Sequence, residues 1–241
     1  MKLEITVLAL LKDNYGFLLR DNENDLTAVV DPSDSDQVIA YLEAKGCDLD
    51  FVFNTHHHWD HTGGNQGLKA RYGCKIVGPE YDRGRIPDLD HGLKDGDVFQ
   101  FGDHKADILY IPGHTSGHIA YWFAESAAVF TGDTLFSLGC GRLFEGTPQQ
   151  MRDSLHRLAS LPEETAVFCG HEYTEENARF ALTLASTNPQ LAERVKEVRI
   201  LRSAKKPTVP STIRSEIACN PFLATDSVES FARLRTAKDL F

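Results

Sequence analysis

The chain concentrates side chains that bind metals in one short run, residues 55–61, which reads THHHWDH. Residues two apart in an extended segment point to the same side, so His56 and His58 can face one point while His57 faces away. Asp60 and His61 follow on a turn and can reach a second point nearby. Imidazole and carboxylate ligands in this pattern suit zinc, iron or manganese.

Three further candidate ligands each follow an apolar run that predicts a strand. Ligands at strand ends are held by rigid elements, with the loops supplying the side chains. With the 55–61 run they exceed the three or four ligands of one zinc ion, so two adjacent ions sharing a carboxylate explain the set better. Isolated histidines such as His91, His104 and His156 are interpreted as ordinary surface or core residues. The three further candidates are His114 after 108–111, Asp133 after 129–131 and His171 after 166–169.

The elements that would position these ligands alternate along the chain. Short apolar runs bounded by turn residues predict strands, and spaced apolar residues with capping signals predict helices. We expect a strand-rich domain over 1–173 and a smaller helical domain over 174–241, with a Pro- and Thr-containing link at 206–212 between its helices. The predicted strands are 3–10, 15–19, 26–30, 51–53, 75–77, 108–111, 120–123, 129–131 and 166–169, and the predicted helices include 65–72 and those beginning near Thr147, Asn188 and Asp226.

Composition excludes several classes of protein. The net charge of -10 disfavours binding to nucleic acid or to an anionic membrane. The apolar run Val7–Leu11 is too short for a signal peptide or a membrane span. Five scattered cysteines without a CxxC disfavour a disulfide framework, so we expect a reducing, cytoplasmic location.

Three motifs resemble the signature of the metallo-β-lactamase superfamily: THHHWDH at 55–61, GHTSGH at 113–118 and GDT at 132–134. The resemblance implies an α/β (α+β) fold, an αββα sandwich with metals at one sheet edge, followed here by the small C-terminal helical domain. It also implies a ligand set for two divalent ions, most simply zinc, with iron or manganese as alternatives. The implied ligands are His56, His58 and His114 for the first ion, Asp60, His61 and His171 for the second, and Asp133 as the bridge.

Other stretches narrow the resemblance to the glyoxalase II family, the hydroxyacylglutathione hydrolases. They lie at 132–147, 169–174 and 208–212, and the end of the chain at 234–239 is similar to that family's glutathione-binding end. The resemblance implies the substrate S-D-lactoylglutathione, whose carboxylates would pair with cationic side chains. Some members carry tyrosine where this chain has Phe144, which leaves a substrate contact there open. The substrate-binding residues implied are Arg142, Tyr173, Arg235 and Lys238.

Two of these cations also have an ordinary interpretation. Arg235 and Lys238 are three apart on one predicted helix and therefore share a face. Without the resemblance, that face would be interpreted as a solvated surface.

The expected reaction is hydrolysis of the thioester to D-lactate and glutathione, a step of methylglyoxal detoxification. A hydroxide bridging the two metals would attack the carbonyl, with Asp60 and Asp133 serving catalysis as ligands and no separate base. His118 would orient a ligand or loop, with plain packing as the alternative. Cys140 and Cys169 are interpreted as buried fillers, and Trp59 as part of the site rim.

Other functions remain as alternatives. The nearest is a persulfide dioxygenase of the same superfamily with one iron, although such proteins lack the helical end with Arg235 and Lys238. A non-catalytic metal-binding protein would be expected to have lost part of the ligand set, which is complete here. We expect a monomer whose partner is the small thioester substrate.

Overall fold

The computed structural model of the chain describes residues 3–185 and 187–241. Contacts between Cα atoms divide the chain into two compact units. The first is Met1–Tyr110 with Gly117–Gly132, and the second is Ile111–Ser116 with Asp133–Phe241. Among the described residues, none of the helices combines the length and the apolar character that crossing a membrane requires.

The first unit contains two sheets and three helices in its described part. The first sheet has the order β1-β2-β3-β4-β5-β6, in which β1, β2 and β3 pair antiparallel and β3 to β6 pair parallel. Strands β7 to β10 are antiparallel neighbours in the second. The elements are β1 Glu4–Leu10, β2 Asn14–Asp21, β3 Leu26–Val30, α1 Ser35–Lys45, β4 Phe51–Phe53, α2 Trp59–Thr62, α3 Asn65–Tyr72, β5 Lys75–Pro79, β6 His91–Leu93, β7 Val98–Phe101, β8 His104–Tyr110, β9 Ile119–Phe123 and β10 Ala128–Gly132.

Helices α1 and α3 connect the parallel strands β3, β4 and β5, as parallel pairing requires. The Asp34 side chain accepts a hydrogen bond from the Gln37 amide at the start of α1, and Gly46 ends the helix in the left-handed region. Val38 and Leu42 of α1 belong to a buried cluster with Leu68 of α3 and side chains of the first sheet. This packing supports β3 and β4, and the 55–61 run begins directly after the carboxyl end of β4.

Aromatic side chains fill the space between the two sheets of the first unit. The Phe53 ring lies 5.8 Å from that of Phe101 and 5.2 Å from that of Tyr121, measured between centroids. Phe17 and Phe130 make a similar contact at 5.4 Å. Burial of such rings contributes a large share of core stability, and these contacts hold β4 against β7 and β9, and β2 against β10.

The second unit is mostly helical. A short hairpin, β11 with β12, follows Asp133, and β13 pairs antiparallel with β14. Leu138, Ala178, Leu191 and Cys219 lie in one buried cluster that joins α5, α6 and α7 to the hairpin. The elements are β11 Leu135–Phe136, β12 Gly139–Cys140, α4 Pro148–Ala159, β13 Ala166–Cys169, α5 Thr174–Leu184, α6 Pro189–Ser203, β14 Ser211–Thr212, α7 Ile213–Cys219 and α8 Val228–Asp239.

Most predicted elements are confirmed, with boundaries moved by a few residues. Thr147 caps α4 in a capping box with Pro148 at the first turn, as predicted, and α6 begins at Pro189 after Asn188. Sequence reasoning missed several short elements, which are β6, β7, β11, β12, β14, α2 and α7. Helix α7 is short and directly follows the Pro- and Thr-containing link, so its sequence shows no sustained helical period.

Candidate metal centre and substrate site

In the first unit, the run after β4 brings three imidazoles together. The His56 side chain is fully buried, and its ring centroid lies 4.8 Å from that of His58 and 4.2 Å from that of His61. The Asp60 Oδ2 atom lies 3.7 Å from His61 Nε2. Predicted ligands of this run therefore converge in a small volume.

Asp31, which sequence reasoning did not select, organises this cluster. Its carboxylate accepts hydrogen bonds from the Thr55 amide at 2.8 Å and the Thr55 hydroxyl at 2.7 Å. It also lies 3.1 Å from His61 Nδ1, so a proton on that nitrogen would leave Nε2 as the metal-binding atom. The sequence signal that could have found it is its place directly after β3, because His114 and His171 also follow strands.

His57 points to a different partner from its neighbours. Its Nδ1 atom lies 3.1 Å from a carboxylate oxygen of Asp82, which is fully buried. The alternation expected of an extended segment is thus observed, with His57 directed away from His56.

The His118 side chain stacks on the imidazole cluster. Its fully buried ring stacks on His56 with centroids 4.6 Å apart and an interplanar angle of 14°. Its Nδ1 atom is 3.1 Å from the Ile119 carbonyl oxygen. Both contacts limit rotation of the ring and support an orienting role.

In the second unit, Asp133 lies between two imidazoles. Its Oδ2 atom is 3.5 Å from His114 Nε2 and 3.3 Å from His171 Nε2, and all three side chains are buried. The other ring nitrogen of His114, Nδ1, is 2.9 Å from the Arg142 carbonyl oxygen. That contact directs Nε2 of His114 towards Asp133, as a metal ligand requires.

The chemistry of these donors fits divalent cations. Buried carboxylates and imidazoles are unfavourable unless paired or bound to a metal, and the mixed nitrogen and oxygen set suits zinc, iron or manganese. Each unit contributes such donors, and the described residues include all seven predicted ligands.

The two predicted cations of α8 are buried, so the solvated-surface interpretation is wrong for them. Arg235 is 5% exposed, donates to the Cys140 carbonyl oxygen at 2.7 Å, and lies over the Phe222 ring at 5.0 Å. Lys238 is 9% exposed and forms an ion pair with Glu176. The ion pair with Lys238 lowers the pKa of Glu176.

The other predicted substrate contacts are more accessible. Arg142 is exposed, and its Nε atom lies 3.7 Å from Asp239, which also accepts from Arg235. The Tyr173 ring stacks on His171 with centroids 4.7 Å apart. Phe144 is exposed and lies edge-on to the His114 ring at 5.2 Å.

The cysteines near the site are poor nucleophiles. Burial raises the pKa of Cys140 to about 11 and that of Cys169 to about 12, so neither is a thiolate at neutral pH. A role as small buried fillers fits both.

Two family models match this chain, and they meet between residues 171 and 172. The family model of the metallo-beta-lactamase superfamily matches residues 14–171, and that of the hydroxyacylglutathione hydrolase C-terminus matches residues 172–241. The chain is 51% identical to a hydroxyacylglutathione hydrolase from Methylococcus capsulatus, covering 99% of both chains. The chain belongs to the hydroxyacylglutathione hydrolase family.

A second relative of the hydroxyacylglutathione hydrolase family, from Brucella anthropi, is 48% identical and is matched over 100% of this chain and 98% of its own length. ETHE1 from Myxococcus xanthus is a solved structure with a TM-score of 0.76 and 27% identity, covering 97% of this chain and 90% of that one. TTHA1623, solved in a di-iron-bound form, has a TM-score of 0.67 and 25% identity, and the match covers 90% of this chain and 100% of that one. The expected mixed α/β class, a metallo-β-lactamase fold with a C-terminal helical region, is confirmed.

Proposed function

We propose that the chain hydrolyses the thioester S-D-lactoylglutathione to D-lactate and glutathione in methylglyoxal detoxification. The observation that carries the proposal is sequence identity of 51% and 48% to two hydroxyacylglutathione hydrolases over nearly the whole chain. Both family models also match, in the same order along the chain. The ligand-bearing motifs are complete, which a non-catalytic relative would not need.

We infer two divalent ions, with zinc favoured over iron or manganese. The donor chemistry supports divalent ions, and a solved structure of the same fold in a di-iron-bound form supports two of them. Ions held there would lower the pKa of a coordinated water to about 7 and polarise the thioester carbonyl. The ligands we assign are His56, His58 and His114 for one ion, Asp60, His61 and His171 for the other, and Asp133 between them.

Neighbouring protein groups orient three of the proposed ligands, His56, His61 and His114. Asp31 would hold the proton of His61 on Nδ1, and the Arg142 carbonyl would do the same for His114. His118 restrains the His56 ring by stacking. The leaving thiolate, with a pKa of about 8.5 as in free cysteine, needs little help from a general acid.

Cationic side chains in the second unit would bind the glutathione part. Arg142, Arg235 and Lys238 carry three positive charges beside the carboxylates of Glu176 and Asp239. This local excess of positive charge suits an anionic ligand even though the whole chain is acidic. We propose that 1–173 holds the metals and that 174–241 contributes Arg235 and Lys238 to glutathione binding, in a cytoplasmic monomer.

The first test measures metal per chain by elemental analysis and thioester hydrolysis with and without a chelator. We expect two metal ions per chain and activity that is lost with the metals and returns with added zinc. A well-metallated protein without thioesterase activity would exclude the hydrolase. Oxygen uptake with glutathione persulfide, together with one iron per chain, would instead identify a dioxygenase.

A second test addresses the cationic residues. Lys238→Ala should raise KM for the glutathione thioester roughly tenfold or more with a smaller change in kcat, because a charge-assisted contact to the substrate is lost. Lys196→Ala, which removes an exposed lysine of α6, is the matched control and should leave both constants unchanged. An unchanged KM for Lys238→Ala would exclude the proposed contact.

A further inference from the structure

The hairpin formed by β11 and β12 connects two residues that contact His114. It spans residues 134–141, closed by the Gly141 amide donating to the Thr134 carbonyl at 3.2 Å, and we call it the 134–141 hairpin. Asp133 precedes it and Arg142 follows it. Both flanking residues contact His114, Asp133 through its carboxylate at 3.5 Å and Arg142 through its carbonyl at 2.9 Å. A shift of the hairpin would therefore disturb His114 from two sides.

One buried carboxyl group holds the tip of this hairpin. Glu216 of α7 is fully buried, and its Oε2 atom accepts a hydrogen bond from the Leu138 amide at 2.8 Å. Leu138 has a φ of 60°, in the left-handed backbone region that residues other than glycine seldom adopt. Such a backbone persists only where its surroundings determine it, and the bond from Leu138 to Glu216 is one such determinant.

Asn220, just after α7, extends the same support. Its amide nitrogen donates to the Gly139 carbonyl at 2.9 Å, to the Phe136 carbonyl at 3.2 Å and to Glu216 Oε2 at 3.0 Å. Carbonyl groups on both strands of the hairpin are thus tied to one amide, which the carboxyl group of Glu216 orients.

We propose that Glu216 is a positioning residue, which acts through the 134–141 hairpin to hold Asp133 and the Arg142 carbonyl against His114. The inference rests on the proposed function, because it takes Asp133 and His114 as metal ligands. It assigns the C-terminal helical region a role in the metal site in addition to substrate binding. Groups beyond the ligands that orient them commonly change metal affinity when altered.

The conservative variant of Glu216 must keep an acceptor oxygen, whichever protonation state the carboxyl group has. Burial raises its pKa, and the hydrogen bonds from the Leu138 amide and the Asn220 side chain, together with the charge of Arg194, oppose that effect. The function proposed for Glu216 needs an oxygen that accepts from Leu138, which glutamine retains and leucine lacks.

The experiment compares Glu216→Gln, Glu216→Leu and a control, Val198→Ala, by zinc affinity in chelator competition and by the melting temperature of the metal-free protein. Val198 is buried in α6, and its truncation lowers stability by leaving a cavity. We expect Glu216→Leu to bind zinc roughly 10- to 100-fold more weakly with lowered kcat and an unchanged KM. Glu216→Gln should retain wild-type zinc affinity, and Val198→Ala should melt earlier without losing zinc.

Three outcomes would overturn the proposal: wild-type zinc affinity in Glu216→Leu, loss of zinc in Glu216→Gln equal to that in Glu216→Leu, or an equal loss in Val198→Ala. If Glu216→Leu does not fold, Asn220→Ala replaces it, because it removes the bonds to Phe136 and Gly139. Unchanged zinc affinity in that variant also contradicts the proposal. Wild-type protein with two metals and no thioesterase activity would refute the proposed function alone, since zinc affinity would still decide the role of Glu216.

Discussion

His56 and His57 are adjacent in the 55–61 run but have different partners, because successive side chains of an extended segment point to opposite sides. His56 meets other imidazoles, whereas His57 meets the buried carboxylate of Asp82. Asp82 reaches this position beside Gly117, where a Cβ atom would overlap its carboxylate. The second glycine of GHTSGH is thus required by a close approach rather than by turn geometry.

Gly117→Ala should therefore destabilise the protein. The added methyl group must displace Asp82 and its contact with His57, and overpacking of this kind costs about 1–3 kcal/mol. Denaturant unfolding measures the change. Gly84→Ala is the control, because a Cβ atom there meets nothing within 4 Å, and it should alter stability by no more than about 0.5 kcal/mol. Equal stability of the two variants would contradict the overlap.

Cysteine reactivity offers a test of burial. Burial raises the pKa values of Cys74 and Cys140 to about 11 and that of Cys169 to about 12, and it also raises that of Cys219. Cys47 is the more exposed thiol. We expect iodoacetamide at neutral pH to label the native protein at Cys47 and the unfolded protein at all five cysteines. Rapid labelling of native Cys140 or Cys169 would show that the site is more open than described.

At the level of elements, α4 supports the segment that carries His114. The Ser154 hydroxyl donates to the Pro112 carbonyl at 2.7 Å. Gly113 has a φ of 152°, and a Cβ atom on it would lie 2.8 Å from the Met151 Cα atom. The helix and the 111–116 segment are therefore in direct contact, and the capping box at Thr147 fixes where the helix begins.

Ser154→Ala should loosen this support. The Pro112 carbonyl loses its donor, and the loss of one hydrogen bond of this kind costs about 1 kcal/mol. We expect lower unfolding free energy together with weaker zinc binding, measured by denaturant titration and chelator competition. Ser203→Ala, at the exposed end of α6, should change neither quantity. Weakened stability with unchanged zinc binding would mean that α4 does not position His114.

At the level of the whole molecule, the second unit crosses the boundary between the two family models. Residues 133–171 share this unit with 172–241, and the 134–141 hairpin hydrogen-bonds to side chains from the C-terminal region. The bonds are those to Asn177, Glu216, Asn220 and Arg235.

A chain that ends at Tyr173 should consequently fail to fold as a metal-binding protein. Several buried backbone groups would lose their partners, each at about 1–3 kcal/mol, against a total stability of about 5–15 kcal/mol. We expect no cooperative thermal transition by circular dichroism and no bound zinc. Co-expression of 174–241 as a separate chain is the control and should restore both. Cooperative melting of 1–173 alone with two bound metals would contradict this prediction.

Much of the fold and of the ligand set could be predicted because the signals are local. Short apolar runs mark β3 and β4, Gly73 marks the end of α3, helical spacing of apolar residues marks α6, and capping residues mark where α4 begins. The 55–61 run identifies its own donors through residue type and spacing. The elements that were missed are short and have too few residues to show a period: β6, β7, β11, β12, β14, α2 and α7.

Residue types and their spacing alone determined which side chains can bind metals and to which family the chain is similar. Tertiary structure decided which groups contact this region: Asp31 at His61, Asp82 at His57 and Glu216 at the 134–141 hairpin. It also decided that Arg235 and Lys238 are buried. Leu138 and Glu216 are 78 residues apart, and no periodic pattern relates them. Such contacts depend on how separate elements pack, because burial and a hydrogen-bond partner are properties of the folded surroundings rather than of the local sequence.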